Sequence, residues 1–137
     1  MSLAGETPRH GPHIDVQFDR PDRCYEPSDA LSMRYEVSGL GDERLRAVEH
    51  SVLWYTEGKG EEDLGVHFFE RAAAPREAGS FAVTLPRSPL SYEGVIVKIR
   101  WCIRVRIFFH GGRDFVSEHV FDVGHVPPAR MPPAATT

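Results

Sequence analysis

The sequence predicts an all-β chain, a sandwich of two sheets with about seven strands. Three observations carry that expectation. Apolar and polar residues alternate with a period of two along most of the chain, which separates them onto the two faces of a strand. Turn residues interrupt these runs at short intervals. No segment of ten or more residues has helical periodicity.

The first strand is expected at 13–18, where Ile14, Val16 and Phe18 alternate with Asp15, Gln17 and Asp19; Arg20-Pro21-Asp22 ends it. The second, 30–37, sets Leu31, Met33, Tyr35 and Val37 against Ser32, Arg34 and Glu36, and Gly39-Leu40-Gly41-Asp42 turns the chain. The third, 46–57, places Val48, Val52 and Trp54 on one face and Glu49, Leu53 and Tyr55 on the other. Gly58-Lys59-Gly60 is a hairpin signal into the fourth strand, 63–71, whose Leu64, Val66 and Phe68 are expected to share a face with Phe69 opposite. The fifth, 80–85, carries Phe81, Val83 and Leu85 before Pro86.

The sixth strand, 95–109, gives the strongest signal. Its odd positions, Val95 to Phe109, are all apolar, and its even positions include Lys98, Arg100, Arg104 and Arg106. One wholly buried face makes it central. At ~3.4 Å per residue it would run about 50 Å, so a bend or bulge is expected. The last strand, 114–123, alternates poorly and reads as bulged or at an edge. Seven such strands fit an immunoglobulin-like sandwich; a closed barrel is the alternative. Tyr92, just before the sixth strand, stands where such folds place a tyrosine whose hydroxyl bonds upstream backbone.

The chain has 137 residues, 41% hydrophobic and 26% charged, with a formal net charge of −4. One domain is expected over 13–124, with a disordered segment at 1–12 and a Pro-rich disordered tail at 125–137. The acidic balance excludes a generally basic nucleic-acid binder. No apolar run is long enough for a membrane span. The N-terminal residues do not read as a secretory signal, and a cytoplasmic location is expected. Two cysteines, Cys24 and Cys102, are expected as free thiols rather than as a disulfide framework.

The basic stripe Lys98, Arg100, Arg104 and Arg106 is the first candidate for chemistry. Neighbours two apart on one face lie ~6.6 Å from each other, and one like-charge pair at that distance costs about 0.6 kcal/mol in water. Cross-strand carboxylates could offset that; Glu36, Glu49, Glu57 and Glu118 lie on strands that could run alongside. The stripe therefore reads as a ladder of surface ion pairs, with an anionic partner as the second reading. The seven histidines show no metal-ligand spacing and read as scattered. Cys102 falls among the arginines without a defined base. The segment 56–63 reads as a hairpin with solvated acids, not a phosphate or calcium loop. Leu53, Tyr55, Phe69, Ile96 and Phe108 fall opposite the expected core faces, and apolar groups clustered there would mark an interface.

Leu85-Pro86, Ser91-Tyr92-Glu93-Gly94 and Ile99-Arg100-Trp101-Cys102-Ile103 together resemble a segment of arrestin-fold N-terminal domains, in which a Leu-Pro turn and a corner of Ser, Phe or Tyr, any residue and Gly lead into a strand of Ile, Arg or Lys, and Tyr or Trp. The arrestin-like clan includes vacuolar-sorting subunits and a bacterial sporulation-control family. The matching window runs from Leu85 to Ile107. The resemblance implies an elongated, single-lobed β-sandwich whose role is protein binding rather than catalysis.

The expectation is thus a non-enzymatic module that binds another protein or itself as a homodimer, without cofactor, metal or catalytic residues. A carbohydrate-binding module using Tyr55 is the alternative, and a metal-dependent enzyme the third reading. The candidate surface is Leu53, Tyr55, Ile96, Lys98, Arg100, Arg104, Arg106 and Phe108, provided that 46–57 and 95–109 pair.

Overall fold

The computed structural model describes residues 11–60, 62–72 and 76–124. Most of the expected disordered segments, residues 1–10 and 125–137, lies outside these. The described residues form strands β1 (His13–Phe18), β2 (Cys24–Tyr25), β3 (Ala30–Ser38), β4 (Leu45–Gly58), β5 (Leu64–Ala72), β6 (Ala78–Thr84), β7 (Tyr92–Glu93), β8 (Val97–Phe109) and β9 (Asp114–Val123), and contain no helix. The seven long strands are those the alternation predicts. The two-residue strands β2 and β7 are too short to show a period.

The strands make two sheets. One has the order β1-β3-β6; the other runs β2-β9-β8-β4-β5, with β7 beside β8. All neighbours are antiparallel except β2, which runs parallel to the end of β9. β8 is central, paired with β4 along its whole length and with β9 along most of it. Its inner residues Trp101, Ile103, Val105, Ile107 and Phe109 meet Leu31, Met33, Tyr35 and Val37 of β3 in one core, joined by Val48, Val52 and Phe121.

The buried face of β8 is shorter than expected. Val95 is 90% exposed and precedes the strand, and Val97 and Ile99 are only partly covered. The reason is the unequal length of the two sheets. β3 and β6 have 9 and 7 residues against 13 in β8, too few to cover it from end to end.

β9 is an edge strand for most of its length, since β2 pairs only with Asp122 and Val123. Its weak alternation has a local cause. Ser117 and His119 lie opposite Val105 and Ile103, toward the inner side of the sheet, and hydrogen-bond each other at 2.8 Å. The corner before β8 also differs from expectation. Among the described residues no hydrogen bond of the Tyr92 hydroxyl to upstream backbone is found. Trp101 Nε1 donates instead to the Pro89 carbonyl at 2.8 Å. Ser91 exchanges two bonds with Val123: its N–H donates to the Val123 carbonyl, and its Oγ accepts from the Val123 N–H.

Candidate interaction surface

β4 and β8 pair from Leu45 to Gly58, so their outer residues share one face. Lys98, Arg100, Arg104 and Arg106 stand there in a row, each ion-paired within the chain. Lys98 reaches Glu93 at 3.0 Å, Arg100 reaches Glu57 at 2.7 Å, Arg104 reaches Glu118 at 2.6 Å and Arg106 reaches Asp114 at 3.6 Å. On the β5 side Arg71 pairs with Glu49 at 2.5 Å. The Lys98 ammonium holds the Glu93 carboxyl below its ordinary range. The stripe is the ion-pair ladder its spacing suggested, with Glu57 and Glu118 in the expected roles. Glu36 is on the other sheet, and Glu49 serves Arg71 instead. An anion approaching the stripe meets cations whose charge a carboxylate of the chain already opposes.

The apolar candidates divide three ways. Tyr55 and Phe108 lie half-buried on this face; the Arg71 guanidinium stands 4.8 Å from the Phe108 ring centre and that of Arg46 5.6 Å away. Leu53 faces outward but is only 1% exposed, and so is not the open apolar group the alternation implied. It sits opposite Cys102, which is also fully buried. Both occupy the middle of a wide sheet, and the aliphatic stems of long charged residues such as Arg100 and Arg104 can close over such positions. Burial pushes the Cys102 thiol up to about 12, away from the thiolate form that nucleophilic chemistry needs. Both cysteines are free. Ile96 is exposed but belongs to the turn before β8, at the end of the sheet, where its carbonyl accepts the Lys59 N–H.

The alternation missed Leu64 and Val66. They were expected on the core face with Phe68, yet they lie on the outer face with Phe69. A β-bulge is the cause. The register steps from Val52 opposite Phe68 to Leu53 opposite Val66, so His67 is the extra residue. Gly65 then faces inward under Trp54; a Cβ there would lie 2.3 Å from the indole nitrogen. That glycine, inside an otherwise apolar strand pattern, is the signal from which the bulge could have been read. As a result Leu64 (55% exposed), Val66 (55%) and Phe69 (57%) form an open apolar row along the sheet edge, next to Tyr55, Leu53 and Ser51. A shallow basin of about 620 Å³ adjoins the row, lined by Tyr55, Leu64, Glu57, Asp63, Arg104 and Glu118. The hairpin at its rim closes through Thr56 and Asp63, with the Asp63 N–H donating to the Thr56 hydroxyl at 2.8 Å.

Among the described residues the histidines are scattered, but they are not all on the surface. His50, on the inner face of β4, is 5% exposed. Its ring stacks against Phe81 at 4.8 Å and Phe68 at 6.3 Å, with Tyr35 5.9 Å away. Nδ1 has no hydrogen-bond partner, and Nε2 is 3.7 Å from the Glu70 carboxylate. Among the described residues no three His, Cys, Asp or Glu side chains come together as a metal site.

Burial lowers the affinity of His50 for a proton more than Glu70 restores it, and burial with Arg23 does the same at His119. Both are therefore neutral in the folded chain where the unfolded chain already begins to protonate, near pH 6.5. Their contribution is fully present above that pH and is lost as pH falls toward the lowered folded-state values. Urea midpoints should decline from pH 7.5 to pH 5.5, and less steeply in His50→Leu. Equal slopes would exclude His50 as a source of the decline.

No protein-family model matches the sequence, and no curated protein matches it. Among solved structures the chain is similar to the crystal structure of Spo0M, a sporulation control protein from Bacillus subtilis, with a TM-score of 0.61 and 14% identity over 85% of this chain. The matched region is 51% of that protein, so this chain spans about half its length. A likeness at this identity is one of fold alone. The two sheets, the long central β8 and this neighbour together give the chain an arrestin-like β-sandwich fold.

Proposed function

We propose that the chain is a non-catalytic protein-interaction module of the cytoplasm, binding through the outer face of the larger sheet between Arg104 and β5. The observation that carries this reading is the row Leu64, Val66 and Phe69, contiguous and open beside Tyr55. Contiguous apolar exposure rimmed by polar groups marks interaction sites. Tyrosine, phenylalanine and arginine, which make up much of this face, are the residue types enriched in interfaces. The arrestin-like fold supports the reading only as a prior, since a fold does not fix a function.

A photo-crosslinking residue at position 66 tests it, with one at position 82 on the outer face of the smaller sheet as control. In a lysate of expressing cells, position 66 should give discrete protein adducts that position 82 does not, and Phe69→Glu should abolish them. Identical adducts from both positions, or none, would overturn the reading. The basin beside Tyr55 favours one competitor, a carbohydrate module, because an aromatic ring flanked by carboxylates suits a sugar. Glycan-array binding lost in Tyr55→Ala would establish that competitor instead.

A further inference from the structure

We propose that the partner of this face is a second copy of the same chain, packed face to face about a two-fold axis near Val66 and Phe69; this rests on the interaction-module reading above.

The first argument is charge. A two-fold interface sets each group against the same surface of the copy. A face with unpaired cations would repel itself and would select an acidic partner. Here the cations within reach of the apolar row are already matched inside the chain: Arg71 by Glu49, Arg104 by Glu118 and Arg100 by Glu57. No cation of this ladder is left unmatched to meet its like in the copy, and an oppositely charged partner finds none there; the exposed carboxylates of Glu62 and Asp63 stand at the Leu64 end of the row, away from the axis.

The second argument is the direction of the side chains. Strand side chains stand roughly perpendicular to the sheet. Leu64, Val66 and Phe69 project from the face, beside the buried Leu53, so an apposed sheet extends an apolar centre that is already dry. Pairing edge to edge is disfavoured, because the bulge at His67 breaks the regular row of backbone groups that strand addition needs. Two such faces can pack as sandwich sheets do, about 10 Å apart with their strands nearly aligned.

Sedimentation equilibrium of the full chain, from low micromolar to millimolar concentration, tests this. The wild type should approach twice its 15.4 kDa chain mass. Val66→Glu with Phe69→Glu should raise the dimer dissociation constant at least tenfold, with an unchanged circular dichroism spectrum because both residues are more than half exposed. Leu64→Glu, a second variant outside the core, should act in the same direction. Ala82→Glu, on the outer face of the smaller sheet, should leave the dimer intact. A wild type that stays monomeric throughout overturns the self-association, while the crosslinking experiment decides separately whether other proteins bind. A dimer unaffected by both β5 variants overturns the assignment of the face.

Discussion

Truncating Trp101 to alanine should cost about 3–5 kcal/mol of folding stability, in the range of large aromatic deletions from cores. Trp101 is fully buried on the central strand. Its ring lies 6.1 Å from Phe121 and 6.2 Å from His67, so its loss would open a cavity where β5, β8 and β9 meet the interior. Its Nε1 also holds the Pro89 carbonyl, and the truncation leaves that acceptor without its donor. Trp101→Phe separates the two losses, since it keeps most of the packing and removes only the donor. Arg104→Ala, next but two along the same strand, should cost under about 1 kcal/mol, as surface ion pairs do. Urea midpoints measure all three. Equal midpoints for Trp101→Ala and Arg104→Ala would overturn the assignment of the two faces of β8.

The second large effect is expected on the face that the alternation marked as outer. Leu53→Ala should cost about 2–5 kcal/mol, as buried leucines do, because Leu53 is sealed opposite Cys102 in the middle of the sheet. Phe69→Ala, on the same face but open, should stay within about 0.5 kcal/mol in the isolated chain. A Leu53→Ala variant as stable as wild type would mean that this side of the sheet has no dry centre. In that case the apolar row on β5 would stand alone as an ordinary set of exposed residues.

The strands were legible because their signal is local. Ile14 to Phe18 and Leu31 to Val37 each bury one side against the opposing sheet, and burial on one side writes a period of two into the sequence. What the period cannot report is the depth of burial. Leu53 and Cys102 occupy outer positions and are covered all the same, because width of sheet and length of neighbouring side chains are properties of the assembled fold. Nor does the period report a change of phase. Leu64, Val66 and Phe68 read as one alternating set, and only the pairing with Val52 and Leu53 shows that they belong to two. His50 was hidden for a third reason: it lies in phase with Val48 and Val52, so its position was legible, while the aromatic rings that enclose it come from three other strands. The Leu85 to Ile107 resemblance reached the fold through the corner and central strand alone, whereas the likeness to Spo0M covers 85% of the chain.

The extra residue at His67 also makes β5 a strand whose length can vary at one point without exchanging inside for outside. On either side of it the chain keeps its own alignment with β4: Leu64 and Val66 with Tyr55 and Leu53, Phe68 and Phe69 with Val52 and Ser51. Removing His67 would straighten the strand and sacrifice the bond from its Nε2 to the Thr84 carbonyl, yet both halves would face as they do now. Removing Gly65 instead, with the bulge retained, would carry Leu64 to the interior beneath Trp54 and take it from the exposed row. Among relatives that keep this surface, gain or loss of a residue should therefore be tolerated at the bulge and selected against two positions earlier.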